Sequence, residues 1–174
     1  VPPLKSQPSA SAADRCAMVQ LAIANNPDFQ LDDRELKRTG PSYTLDTLRS
    51  LRSELSEQDS LVLFIGSDAF KQFNRWHQWQ EIIRLCHIAL VARPDSEVST
   101  GLDPELVTFL QDHYTENAMD LQSATAGLIT MQAITPLTIS SSAIREQLKT
   151  RQSARYLTPD CVLDYIAQHG LYQA

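Results

Sequence analysis

Apolar and polar positions fall into blocks along this chain, and the blocks change period. Met18, Leu21 and Ala22 stand at i, i+3 and i+4, the stripe of a helix over about Ala12–Asn25, with Pro27 just past its end. Phe29 to Arg38 alternates loosely and reads as a strand with a charged turn. After Gly40-Pro41 a second helix begins near Ser42, with Leu45, Leu48, Leu51 and Leu55 on one side. Leu61-Val62-Leu63-Phe64-Ile65 is then an unbroken apolar run closed by Gly66. A run without alternation suits a strand buried on both faces, as in a parallel sheet.

A short helix is expected from Ser67, after which the pattern repeats. Glu81 to Cys86 reads as helix, and Ile88 to Ala92 as a second buried strand ended by Arg93-Pro94. Pro104 to His113 reads as helix, with Asp103 as its cap and proline at the first helical position. Leu128 to Ile134 is a third buried strand. Ser140 to Lys149 and Pro159 to Gln168 are closing helices, the second ended by Gly170. Strands alternating with helices predict an α/β fold: a Rossmann-like parallel sheet with helices on both faces, in a single domain spanning residues 1–174. Ligands of such sheets bind beyond the carboxyl ends of the strands. Attention therefore goes to Gly66-Ser67-Asp68, Arg93 and the segment from Thr135 to Arg145.

Composition narrows the classes. With 43% hydrophobic and 21% charged residues among 174, this is the make-up of an ordinary globular protein. A formal charge of −6 argues against a nucleic-acid backbone as main partner, yet leaves room for one small anion held by local cations and helix ends. Cys16, Cys86 and Cys161 lie far apart with no CxxC spacing, which fits a reducing cytoplasm better than a disulfide framework or a metal site. No apolar run approaches the roughly 18 residues of a membrane span, and no signal peptide is read. The chain opens on Val1 inside a polar, proline-rich stretch that reads as loop, and as part of something longer.

The segment from Ile139 to Arg145 is the richest in candidate chemistry. Ser140 is a natural N-cap, and Ser141 and Ser142 add hydroxyls where the first helical N–H groups lack partners. Arg145 sits early in the helix, where the macrodipole disfavours a cation unless an anion is near. Together these make a phosphate site; they read equally as a Ser-rich cap beside a solvated arginine. Asp68 follows a buried strand by two residues and could accept from ribose hydroxyls, or could simply be a helix-start acid. Trp76 could stack on a flat heteroaromatic ring and His77 could offer its backbone N–H or its imidazole, the alternative being a buried packing role. Pro41-Ser42-Tyr43-Thr44 opens a helix whose start, with the Thr44 hydroxyl, suits a carboxylate or a phosphate, or holds only a capping serine. His87 and His113 stand alone and read as packing or surface residues rather than ligands. No G-x-x-x-x-G-K-[ST] loop, G-x-G-x-x-G turn, G-x-S-x-G elbow or H-E-x-x-H pair occurs, and there are only five glycines.

Taken in order, Val1-Pro2-Pro3, Asp33-Arg34-Glu35-Leu36 to Arg38, Pro41-Ser42-Tyr43-Thr44, Phe64-Ile65-Gly66-Ser67-Asp68, Trp76-His77, Arg93-Pro94 and Ile139 to Arg145 resemble the bacterial nicotinate-mononucleotide adenylyltransferases. Tyr165-Ile166 and Gly170-Leu171-Tyr172 also look like that family's ending. Each motif is weakly specific alone; the ordered set carries the resemblance. It implies transfer of the adenylyl group of ATP to nicotinate mononucleotide, with Mg²⁺ held mainly by the ATP phosphates, in NAD biosynthesis. By the same resemblance, Ser141, Ser142 and Arg145 hold ATP phosphates, Arg145 being the catalytic cation, and Gly66 with Asp68 borders the adenosine ribose. Trp76 stacks on the pyridine ring, Thr44 and the His77 backbone receive the carboxylate, and Lys5 approaches a phosphate.

Three departures qualify the match. The family's Gly-rich G-x-F-D-P…G-H segment, whose histidines contact ATP phosphates, does not occur in these residues, so a first strand and helix are expected to be missing. The 174 residues by themselves are expected to be impaired. Leu4 stands where the family has His, and Ser142 stands where it has Thr, keeping the hydroxyl. Competing readings are another nucleotidylyltransferase, such as one acting on a phosphopantetheine, and a non-catalytic nucleotide-binding protein.

Overall fold

The structure is a computed structural model that describes residues 10–92, 101–135 and 137–173. Val1-Pro2-Pro3, Leu4, Lys5 and Arg93-Pro94 lie outside the described residues. The order is α1 (Ala12–Ile23), α2 (Arg34–Lys37), α3 (Thr44–Arg52), β1 (Val62–Gly66), α4 (Ser67–Phe70), α5 (Trp79–Ile82), β2 (His87–Ala92), α6 (Pro104–His113), β3 (Ile129–Ala133), α7 (Ser141–Lys149) and α8 (Asp160–Gln168). Single 3-10 turns at Phe73–Arg75 and Ala118–Gln122 join them. The chain divides into two units, one of residues 42–136 and one of residues 1–41 with 137–174.

The first of these holds the sheet, which is parallel throughout in the order β1-β2-β3, as the alternation of strands and helices predicts. Leu63 pairs with Ile88 and Ile88 with Ile129, while Ile65 pairs with Leu90. Partners in a parallel ladder share a face, so these side chains form one apolar surface. Ile65, Ile88, Leu90 and Ile129 join Leu45, Leu48, Phe70, Phe73, Trp79, Ile82, Leu106 and Phe109 in a continuous core. The central strand β2 is buried on both faces, as its unbroken apolar run requires.

β1 departs from expectation. Phe64 is 69% exposed, so the run 61–65 is not buried on both faces among the described residues. β1 pairs there with β2 alone, and its second face carries Phe64 opposite the small Ala89. An apolar run marks a strand more reliably than it marks the cover over each face.

The lead-ins to all three strands are tied by one side chain. Arg52, last residue of α3, donates to the carbonyl of Asp59 at 2.7 Å, of Leu85 at 2.7 and 3.1 Å, and of Thr125 at 2.9 Å. These carbonyls precede β1, β2 and β3. A planar guanidinium with five donors suits such a junction; an ammonium does not. His87, fully buried, adds a second tie: its Nδ1 accepts from the Leu128 amide at 3.1 Å and its Nε2 lies 2.9 Å from the Ala124 carbonyl. An accepting Nδ1 places the proton on Nε2, which donates to Ala124. His113 Nδ1 likewise meets the Gly127 carbonyl at 2.8 Å. Both histidines are packing residues, one of the two roles read from the sequence.

In the other unit, α1 and α8 pack together without a large core. The Tyr165 hydroxyl donates to Asp14 at 3.1 Å, Ser11 donates to the same carboxylate at 2.6 Å, and the Cys161 thiol approaches the Leu21 carbonyl at 3.5 Å. Hydrogen bonds from Ser11 and then Tyr165 hold the Asp14 carboxyl below its ordinary value. α8 ends as Gly170 predicts. The Leu171 amide returns to the Ile166 carbonyl at 3.0 Å and the Gly170 amide to Ala167 at 3.3 Å, a Schellman closure in which glycine supplies φ +60°.

Two element assignments are corrected. Residues 29–38 form no strand; α2 occupies Arg34–Lys37. Local carboxylates decide this. Asp32 accepts from the Arg34 backbone at 3.0 Å and pairs with its guanidinium at 2.6 Å, while Asp33 pairs with Lys37 one turn on at 2.6 Å. The helix placed at Glu81 to Cys86 is instead α5, Trp79–Ile82, because Gln78 takes a left-handed conformation (φ +46°, ψ +46°) and starts the helix early. That start buries Trp79 and Ile82, and Cys86 leaves the helix and is buried, its thiol pushed up to about 12 by burial.

Candidate active site

Candidate residues fall into two groups, one in each unit. In the sheet-bearing unit, the start of α3 meets the turn between Phe73–Arg75 and α5. The Tyr43 ring stacks on the His77 imidazole with centroids 4.4 Å apart and planes 29° apart. Beside this contact, Arg49 donates to the Gln78 side chain at 3.3 Å. Thr44 is the first residue of α3, and the cap position is Tyr43, not Ser42; the Tyr43 side chain makes no capping hydrogen bond. The Asp46 and Thr47 amides donate to the Tyr43 carbonyl at 3.1 and 3.2 Å, so the Thr44 hydroxyl is the group this start offers to an approaching anion. Among the described residues neither the Thr44 hydroxyl nor the His77 amide makes a hydrogen bond.

The two tryptophans part company. Trp79 is buried, edge-on to Phe73 at 5.7 Å and to Phe109 at 4.8 Å. Trp76 is half-buried, packed by one side against Phe73 at 5.2 Å and 60°. One indole is a core residue; the other has a core-backed ring with surface left to offer. Trp79 thus packs in the core, and Trp76 packs against its edge with part of its ring exposed.

At the carboxyl end of β1, Gly66 and Asp68 are exposed and Ser67 between them is buried. Asp68 lies in the first turn of α4. Among the described residues it has no ion-pair or hydrogen-bond partner, so its carboxylate is a ready acceptor for hydroxyls.

In the other unit, the start of α7 is built as the sequence suggests. Ser140 is the N-cap and accepts from the Ala143 amide at 3.1 Å. Arg145 folds back along the first turn, its Nε donating to the Ser141 carbonyl at 3.0 Å and its Nη2 to the Ser142 hydroxyl at 3.3 Å. Ser141 and Ser142 are exposed and Arg145 is half-buried. The guanidinium, two hydroxyls and the leading amides converge on one helix tip. A cation held where the dipole opposes it is what an anion would use. Lys5 lies outside the described residues.

Sequence reasoning gave Tyr43 no role of its own and passed over Arg49 and Gln78. The stack and the left-handed residue arise from contacts about thirty residues apart in the chain, which no local pattern announces.

Comparison with known proteins sets the class first. A family model described as cytidylyltransferase-like matches residues 1–147, which sets the class of the chain. Proteins named "Probable nicotinate-nucleotide adenylyltransferase" from Pseudomonas syringae pv. tomato and Pseudomonas entomophila are each 43% identical over 99% of this chain, covering 77% and 78% of their own lengths. The chain belongs to the nicotinate-nucleotide adenylyltransferase family. The fold agrees with a solved Plasmodium falciparum nicotinic acid mononucleotide adenylyltransferase complexed with NaAD. That likeness has a TM-score of 0.63 at 18% identity, over 97% of this chain and 76% of the other.

Proposed function

We propose that this protein transfers the adenylyl group of ATP to nicotinate mononucleotide, giving nicotinate adenine dinucleotide and pyrophosphate, a step of NAD biosynthesis. The observation that carries the reading is the 43% identity, spread over 99% of the chain, to proteins bearing that activity in their name. The start of α3 with Thr44, the Trp76 face and the His77 amide supply the chemistry a pyridine carboxylate needs.

The 5′-phosphate of the mononucleotide attacks the α-phosphorus of ATP; a new P–O bond forms as the bond to pyrophosphate breaks. The attacking oxygen is already anionic, so the protein need supply neither a nucleophile nor a strong base. Its work is alignment and neutralisation of charge on the transferring group. In this reading Arg145, Ser141, Ser142 and the amides at the α7 tip grip ATP phosphates, and Lys5 approaches a phosphate. Gly66 permits close approach of the ribose, and Asp68 accepts from its hydroxyls. Trp76 stacks on the pyridine, while the Thr44 hydroxyl and the His77 amide receive the carboxylate.

Among the described residues no cluster of three or more His, Cys, Asp or Glu could hold a metal. A Mg²⁺ would therefore ride on phosphate oxygens and water, where it neutralises charge. A cytoplasmic setting goes with free cysteines; no helix among the described residues is long and apolar enough to cross a membrane. The test is pyrophosphate release by the full-length protein with ATP and Mg²⁺, offering nicotinate mononucleotide, nicotinamide mononucleotide and 4′-phosphopantetheine in parallel. Turnover confined to the pyridine nucleotides supports the reading, and turnover of the pantetheine alone refutes it.

A further inference from the structure

We propose that the Tyr43–His77 stack is a positioning clasp that fixes the two carboxylate-receiving donors relative to each other, and so sets the preference for an acid over an amide mononucleotide. The inference rests on the functional reading above, because it assumes that Thr44 and the His77 amide take the carboxylate.

The donors come from separate elements. Thr44 opens α3, and the His77 amide lies in the turn before α5. An anion shared between a hydroxyl and an amide is bound well only if both point at it at once, within a few tenths of an ångström. The turn has little regular structure to hold it there. His77 lies between a single 3-10 turn and a left-handed Gln78, and its side chain is exposed.

What holds it is Tyr43, the residue next to Thr44, with its ring 4.4 Å from the imidazole centroid. Arg49, in α3, donates to the side chain of the next residue, Gln78, at 3.3 Å. The cap of α3 and a residue within it thus contact His77 and its neighbour. The selectivity follows from chemistry. A carboxylate is charged and gives each donor its own anionic oxygen, making two charge-assisted bonds, whereas a neutral carboxamide has one oxygen for the His77 amide and leaves its NH₂ to the Thr44 hydroxyl acting as acceptor. Tight spacing therefore favours the acid, and loosening it levels the two substrates.

The experiment uses the full-length protein with Tyr43→Ala, Tyr43→Phe and His77→Ala, the last keeping the backbone amide. KM and kcat are measured for the acid and amide mononucleotides, with melting temperature as a control for folding. Tyr43→Ala and His77→Ala are each expected to raise KM for the acid by about five-fold, the worth of one aromatic pair, with kcat changed far less. The acid-to-amide ratio of kcat/KM should fall by a similar factor. Tyr43→Phe, which keeps the ring, should restore wild-type values, and the double variant should be no worse than either single one. An active wild type whose Tyr43→Ala and His77→Ala variants fold yet keep their acid preference overturns this inference alone. A wild type that neither turns over nor binds the acid mononucleotide overturns the functional reading and this inference with it.

Discussion

The aromatic corner and the α7 tip are supported in opposite ways. Trp76 leans on Phe73, which is itself fully buried among Phe70, Trp79 and Phe109, so the surface proposed for the pyridine ring is the outer side of a dry core. In the other unit, neither α1 nor α7 buries a single residue, and α1 is joined to α8 through Asp14 and Tyr165. A flat ring needs a rigid wall, which packing supplies. A phosphate needs donors that swing into line, and these can ride on a thinly packed helix. The comparison teaches that two candidate sites in one chain can be held in opposite ways, one by a core and one by a helix end.

The largest effect should come from the core. Phe73→Ala removes a side chain with 0% exposure and is expected to cost about 3–5 kcal/mol in urea unfolding. A loss under about 1 kcal/mol would show that the corner does not depend on the core. Next comes Arg145→Ala. It should lower kcat by about 10²–10³ while leaving the melting temperature nearly unchanged, because the side-chain hydrogen bonds of Arg145 among the described residues go to its own helix turn. A large fall in stability instead would make the tip structural. Trp76→Ala is expected to weaken binding of nicotinate mononucleotide by about 1–3 kcal/mol, read by calorimetry, with ATP affinity unaltered.

The smallest effect concerns pH. Asp14 titrates below its ordinary 3.8 when folded, so its contribution is present above that value and lost as pH falls through the lowered one. Tyr165 is raised above 10.0, first by burial and then by its bond to Asp14; its contribution is present below that value and lost as pH rises through the raised one. Melting curves of Asp14→Asn should be flatter than wild type on the acid limb, and an unchanged acid limb would remove the Asp14–Tyr165 bond from the account.

Much of this was legible in the residues. Asp103 before Pro104 marks the start of α6, Ser140 the start of α7, and Gly170 the close of α8, because capping is written in the residue that does it. The buried run of β2 stands for the same reason. What could not be read depends on distance along the chain. Arg52 reaches carbonyls 33 and 73 positions away, and nothing near it says so. α2 was hidden because Asp32 and Asp33 outweigh a weak alternation. The site residues were named from the order of motifs, whereas the Tyr43–His77 contact that organises one group needed the fold.

Arg52 has a consequence for how the sheet can move. Because one guanidinium knots the chain just ahead of every strand, the three cannot slide or splay at that end without breaking the same knot. Any small flexing is then pushed toward the opposite rim, where Gly66 and Asp68 stand. The sheet is moored along one shore, and this side chain leaves the other untied.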